Sequence, residues 1–210
     1  MNYLLTYPRS GNSAIAKYIQ ILYPDRLTFG IRPSDRRDRS PKMVAKAITR
    51  KAHFRKHIRL SELTKLIIVV RDYKECLMSH YKRSGKRMTV SNYFCKNFPQ
   101  YADNIVFYNE CKSPKLLVYY EDLLRDTRTE MKRVIDFLEE KTDKLDDLID
   151  NLDHYNEVQT KVYKKNTGSV FTGSNLGKKH ADNLSPAQIK RFDTIAKNSP
   201  AKECLKRYWK

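Results

Sequence analysis

The chain has 210 residues, of which 40% are hydrophobic and 31% charged, which excludes a disordered or membrane-embedded protein and fits one domain. No apolar run approaches the ~20 residues that a membrane-spanning helix needs. The net charge is +18, but it is unevenly distributed along the chain, because residues 101–160 carry 15 acidic and only 8 basic side chains. We therefore expect the two basic ends of the chain to converge on an anionic ligand.

The first predicted elements are a strand over residues 2–7, a turn that contains Gly11, and a helix over residues 13–22. The helix is indicated by apolar residues that recur on one face, namely Ile15, Tyr18, Ile19 and Leu22. A strand, a glycine turn and a helix in this order are typical of the opening unit of a nucleotide-binding α/β domain. Residues 24–60 are interrupted by prolines and predict an irregular basic segment, in which Met43 to Arg50 is compatible with a short helix.

The later pattern predicts these elements in chain order: a strand over 65–70, helices over 73–82 and 90–109, a strand over 115–119, a helix after Thr127, a helix over 145–152 and a helix that begins at Ser185. Thr127 is expected to cap its helix, with Glu130 at the capping-box position. Residues 154–184 are expected to form a long mobile loop. Because strands and helices alternate, the fold class is α/β: a single domain over residues 1–210 with a mainly parallel central sheet and right-handed crossovers.

The turn after the first strand, Thr6-Tyr7-Pro8-Arg9-Ser10-Gly11-Asn12-Ser13, has the composition of a phosphate-binding loop. A glycine lets backbone amides approach an anion closely, and the following helix start adds its positive dipole. Arg9 can donate two parallel hydrogen bonds to a phosphate or sulfate group. The loop lacks the Walker A lysine pattern, and an ordinary strand-to-helix turn is the alternative interpretation.

A second segment places Arg71 at the end of the apolar strand 65–70 and Ser79 about two helical turns further on. Ligands of open α/β sheets bind at the carboxyl ends of strands, so both side chains can hold one phosphate group. The alternative is a local ion pair between Arg71 and Asp72, with Ser79 as a buried helix serine.

These segments resemble the signatures of the PAPS-dependent sulfotransferases, a family with a P-loop-like architecture. Residues 6–13 are similar to the family's 5′-phosphosulfate loop, with Arg9 in place of a lysine. Residues 67–81 resemble its 3′-phosphate segment, and residues 117–124 resemble its strand that ends in Tyr-Glu-Asp-Leu. The resemblance implies that PAPS is the donor, that PAP is the product, and that a sulfuryl group passes in line to a hydroxyl or amine.

The resemblance also implies roles for individual residues. His53, in Lys51-Ala52-His53-Phe54, would be the general base and Lys51 would assist it, while His57 is a competing base. Tyr120 would lie near the adenine. The implied donor-binding residues are Arg9, Ser10, Gly11, Asn12, Ser13, Arg71, Ser79, Tyr120, Lys178 and Lys179. The last two would act from a mobile lid, and a solvated charge pair is the equal alternative for them.

Three alternatives compete with this interpretation: a nucleotide-dependent phosphotransferase or kinase, a non-catalytic basic protein that binds nucleic acid, and a protein that keeps the sulfotransferase fold but has lost catalysis. The acceptor is not identified by the sequence; a glycan, a peptide and a small alcohol all fit, and residues 31–60 are expected to lie on the acceptor side.

The cysteines Cys76, Cys95, Cys111 and Cys204 form no Cys-x-x-Cys pair, so free thiols and no metal site are expected. Because no signal peptide is apparent, we expect a cytoplasmic protein, of open oligomeric state.

Overall fold

The computed structural model describes residues 1–23, 27–29, 49–85, 87–155 and 179–209. Five strands form one sheet: β1 (Asn2–Thr6), β2 (Leu27–Phe29), β3 (Thr49–Ala52), β4 (Leu66–Val70) and β5 (Lys115–Tyr119). Their order across the sheet is β2-β3-β1-β4-β5, and every neighbouring pair is parallel. The prediction of an α/β domain with a mainly parallel sheet is therefore confirmed.

The described helices are α1 (Asn12–Leu22), α2 (Tyr73–Arg83), α3 (Val90–Glu110), α4 (Tyr120–Arg125), α5 (Thr127–Leu138), α6 (Leu145–Asp150), α7 (Pro186–Lys197) and α8 (Lys202–Leu205). Short 3₁₀ turns lie at Arg55–His57, Leu60–Glu62, Ala181–Asn183 and Lys206–Tyr208. None of the helices in these ranges is both long and apolar enough to span a membrane.

Two apolar cores cover the two faces of the sheet. On one face, α1, α5 and α6 pack against alternate residues of the central strands, including Leu4 and Ile67. On the other face, α2, α3 and α7 pack against the intervening residues, including Leu5 and Ile68. Because β4 is paired on both sides and covered on both faces, all five of its residues are buried, as its unbroken apolar sequence predicts.

Three sequence-based expectations need correction. The expectation of an irregular segment over 24–60 is wrong at Leu27–Phe29 and Thr49–Ala52, which join the sheet as β2 and β3. The short helix expected from Met43 to Arg50 cannot include its last two residues, which belong to β3, and the rest lies outside the described residues. The cap of α5 is Asp126, whose carboxylate accepts from the Thr129 amide at 3.0 Å, whereas the Thr127 hydroxyl donates to the Leu123 carbonyl.

The capping box predicted at Ser185 is present: its hydroxyl accepts from the Gln188 amide, and the Gln188 side chain accepts from the Ser185 amide. This cap fixes the start of α7, whose buried Phe192 stacks on Phe94 of α3 with 3.8 Å between ring centroids. The long loop expected over 154–184 lies mostly outside the described residues, and its described end contains the turn Ala181–Asn183.

Candidate functional site

The candidate site is the crevice between β1 and β4 at the carboxyl edge of the sheet. These strands are neighbours, but α1 leaves β1 toward one face and α2 leaves β4 toward the other. The two connections therefore diverge and leave a gap above the strand ends. In open α/β sheets this topological switch point is where ligands bind.

The turn after β1 is shaped by two residues in the left-handed region, Arg9 with φ +75° and Gly11 with φ +88°. The buried Ser10 hydroxyl donates to the Tyr7 carbonyl at 2.7 Å and closes the turn. A Cβ atom at Gly11 would lie 2.2 Å from Cδ2 of Tyr120, so no larger residue fits there without movement of the ring. The turn delivers the positive end of α1 to the crevice, which suits an anion.

Arg9 connects this turn to the second predicted segment. Its Nε donates to the Ser79 hydroxyl at 3.0 Å, and the Arg71 guanidinium donates to the Arg9 carbonyl at 3.1 Å. Burial lowers the pKa of Arg9, and the positive charges of Arg83 and Arg71 lower it further. Cations that repel one another in a half-buried site favour binding of an anion among them.

Arg71 and Ser79 are both buried, and neighbouring side chains hold the Arg71 guanidinium in one orientation. Its guanidinium lies 4.7 Å from the centre of the Tyr120 ring and 3.6 Å from the Glu75 carboxylate. Glu75 in turn accepts hydrogen bonds from the backbone amides of His180 and Ala181. The alternative interpretation holds for Ser79, which is a buried helix residue, whereas for Arg71 the structure shows an ion pair with Glu75.

A cavity of about 380 Å³ opens beside Arg71. Its lining combines charged residues of both signs, among them Arg71, Glu121 and Lys179, with apolar side chains that include Leu124 of α4 and Ile189 of α7. Tyr120 lies in its wall, with its ring between the Gly11 turn and the Arg71 guanidinium. Apolar side chains combined with polar groups are the usual lining of a site for a small organic molecule.

His53 lies just beyond the end of β3, next to β1. Its Nδ1 is 2.9 Å from the Thr6 carbonyl, and its own carbonyl accepts from Nδ2 of the Asn104 side chain at 2.9 Å. A carbonyl oxygen can only accept, so Nδ1 carries the proton. In the neutral ring the basic lone pair is therefore on Nε2.

Lys51 and His57 occupy different settings. Lys51 lies within β3, in register with Leu4, and burial lowers its pKa to about 8. His57 is exposed in a 3₁₀ turn, with its ring 5.6 Å from that of Phe54. Of the two histidines, His53 is the one that bonds to the end of β1.

For three of the other predicted donor-binding residues, the structure does not describe the side chain. Asn12 and Ser13 open α1, but their side chains lie outside what the structure describes. Lys179 is exposed and lines the cavity, and Lys178 lies outside the described residues.

The sequence-based prediction missed two residues beside the site, the titratable His80 and the cationic Arg83. The Tyr7 hydroxyl lies 3.4 Å from Nδ1 of His80, and burial, followed by the charges of Arg9 and Arg83, lowers the pKa of His80. Arg83 is exposed on α2, four residues after Ser79. The available signal was helical spacing, since residues i and i+4 share one face of a helix.

Comparisons with known proteins agree with this geometry. The family model of the sulfotransferase domain matches residues 3–207. No curated protein matches the chain in sequence.

Among solved structures, a mouse sulfotransferase, SULT7A1, complexed with PAP has a TM-score of 0.63 and 20% identity over 99% of this chain and 88% of its own. A candidate steroid sulphotransferase of Arabidopsis thaliana has a TM-score of 0.57 and 16% identity, covering 93% of this chain and 74% of its own. The sulfotransferase domain of a Synechococcus olefin synthase has a TM-score of 0.52 and 15% identity, covering 95% of each chain. The family match covers nearly the whole chain, and the chain therefore belongs to the sulfotransferase domain family.

Proposed function

We propose that the protein transfers a sulfuryl group from PAPS to a hydroxyl or amine of an acceptor. The observation that carries this proposal is the convergence of two anion-binding segments at the β1–β4 crevice, where Arg9 bonds Ser79 and Arg71 bonds the Arg9 carbonyl. A nucleotide with phosphate groups at both its 5′ and 3′ sides needs two such segments, whereas ATP needs only one. The family membership and the PAP complex of the mouse relative support the same donor.

The donor would be held by groups that already face the crevice. The Gly11 turn and the start of α1 would bind the 5′-phosphosulfate, since backbone amides at a helix start favour an anion. Arg71 and Ser79 would bind the 3′-phosphate. The cavity beside Tyr120 would receive the nucleoside, and Lys179, which also lines it, would contact the nucleoside or its phosphate.

His53 is the proposed general base. The sulfur–oxygen bond to the 5′-phosphate breaks as the acceptor oxygen or nitrogen bonds to sulfur, and Nε2 of His53 takes the acceptor's proton. The hydrogen bond from Nδ1 to the Thr6 carbonyl fixes the ring orientation and the tautomer that this step requires. The base must be unprotonated to accept this proton.

Arg9 is the proposed electrostatic partner of the leaving group. Its guanidinium is held by Ser79, so it needs little reorganisation to face the charge that develops on the 5′-phosphate oxygen. Lys51 is proposed to assist, although its position inside β3 places it further from the strand ends than His53.

The test is transfer of radiolabelled sulfate from PAPS to a panel of phenols, alcohols, amines and sulfated or carboxylated glycans. For any acceptor that reacts, His53→Ala should reduce kcat by about 10²- to 10⁴-fold, the usual contribution of a general base. His57→Ala is the matched control and should retain most activity, because His57 is exposed in a turn. Wild-type turnover in His53→Ala would contradict the assignment of the base.

A further inference from the structure

The peptide bond that follows Arg71 is held from both sides. The buried Tyr101 hydroxyl donates to the Arg71 carbonyl. The Asp72 amide donates to Oε1 of Glu121 at 3.0 Å. Together these bonds fix the peptide plane at the end of β4, and with it the direction in which the Arg71 side chain leaves the strand.

Glu121 is itself held by a residue from the carboxyl end of the described chain. The Tyr208 hydroxyl donates to Oε2 of Glu121 at 2.7 Å, so each carboxylate oxygen has its own donor. Burial raises the pKa of Tyr208 far above its usual range, with the Glu121 charge as the next cause. The hydroxyl is therefore protonated at neutral pH and can donate to Glu121.

The segment that carries Tyr208 is anchored at several points. Nζ of Lys74 donates to the Tyr208 carbonyl at 2.8 Å and pairs with the buried Asp193 carboxylate at 2.7 Å. The Arg207 guanidinium donates to both oxygens of Asp122, at 2.8 and 2.9 Å. The turn at Lys206–Tyr208 is thus joined to the start of α2 and to α4, the two elements that flank Arg71.

We propose that Tyr208 and Glu121 are positioning residues that fix Arg71 for the 3′-phosphate of the donor; this rests on the function proposed above. A chain of hydrogen bonds runs from the Tyr208 hydroxyl through the Glu121 carboxylate to the Asp72 amide, next to Arg71. Tyr208, Glu121 and Arg71 line the same cavity. Loss of the chain releases the peptide plane, so Arg71 samples more orientations and holds a phosphate less well.

The test compares Tyr208→Phe with Tyr155→Phe by calorimetric titration of PAP and of 5′-AMP. Tyr155 is a matched control, because its hydroxyl also donates to a carboxylate, that of Asp147, at 2.7 Å, but it does not line the cavity. Tyr208→Phe should weaken PAP binding about tenfold, equivalent to ~1.4 kcal/mol, and leave the affinity for 5′-AMP unchanged. Tyr155→Phe should leave both affinities unchanged.

The ratio of the two affinities separates positioning from general structure. A merely structural role for Tyr208 would lower both affinities by the same factor and leave their ratio unchanged. That result would overturn the inference, as would no change in either affinity. If Tyr208→Phe fails to fold in a thermal melt, Glu121→Gln replaces it, because an amide has one acceptor oxygen where the carboxylate has two. If the wild-type protein shows no preference for PAP over 5′-AMP, the proposed function fails rather than the positioning role alone.

Discussion

Replacing Gly11 by alanine places a methyl group against the Tyr120 ring. The new Cβ would lie 2.2 Å from Cδ2 and 2.7 Å from Cε2 of that ring, and Gly11 has a φ of +88°. The substitution therefore imposes two separate costs: left-handed strain on the backbone and a collision with a buried ring. Tyr120 also lies under the Arg71 guanidinium, so the collision is transmitted to the proposed 3′-phosphate site.

The strain should cost about 1–2 kcal/mol, the usual value for a residue with a Cβ in the left-handed region. Displacing the ring or the turn in a packed core should add about 1–3 kcal/mol. For a chain of this size each kcal/mol lowers Tm by ~2–4 °C, so the combined cost of about 2–5 kcal/mol should lower the Tm of Gly11→Ala by roughly 4–20 °C. Thermal melts followed by circular dichroism measure this, and calorimetry should show weaker PAP binding.

Gly85 is the matched control, because it has a φ of +81° and no atom within 4 Å of the position of a Cβ. Gly85→Ala should show the strain alone, about 1–2 kcal/mol. In a Tyr120→Ala background the collision disappears, so Gly11→Ala should then cost about as much as Gly85→Ala. Equal costs for Gly11→Ala with and without the Tyr120 ring would refute the reasoning.

Two further predictions concern the charged residues of the site. Arg71→Ala removes a charge-assisted contact worth about 1.5–3 kcal/mol and should weaken PAP binding about 10- to 150-fold by calorimetry. Arg133→Ala is the control: it breaks the ion pair with Glu130 on α5 and should leave PAP binding unchanged. Lys51→Met should raise Tm at pH 7, because burial lowers the folded-state pKa of Lys51 from 10.5 to about 8 and so penalises the charged form. The gain should shrink as pH rises from about 8 and be lost above 10.5, where the lysine is mostly neutral in both states; a gain that does not shrink with pH would contradict this.

The elements with strong local patterns could be predicted from the sequence. β4 is continuously apolar, α1 repeats apolar residues on one face, and Ser185 precedes a proline and a glutamine at capping positions. β3 has no such pattern, because Thr49–Ala52 contains two basic residues. Its place in the sheet depends on pairing with β1 and β2, which are distant in the sequence.

In the candidate site, too, the features with a local sequence pattern could be predicted and those that depend on distant residues could not. The Gly11 turn and Arg71 stand out locally, since each follows an apolar strand. The hydrogen bond from Arg9 to Ser79 joins residues 70 positions apart, and that from Tyr208 to Glu121 spans 87, so neither could be predicted from spacing. The family membership also disfavours the kinase and nucleic-acid alternatives, which composition alone left open.

The most direct test of the donor assignment is calorimetric titration of the wild-type protein with PAP, 5′-AMP and ATP in the presence of EDTA. Arg9 bonds Ser79, and Arg71 bonds the Arg9 carbonyl, so the crevice brings together the groups that we propose for the 5′- and 3′-phosphates. We predict one site per chain, with PAP bound at least about tenfold more tightly than 5′-AMP or ATP. Equal affinity for PAP and 5′-AMP, or tighter binding of ATP, would contradict a PAPS-dependent sulfuryl transfer.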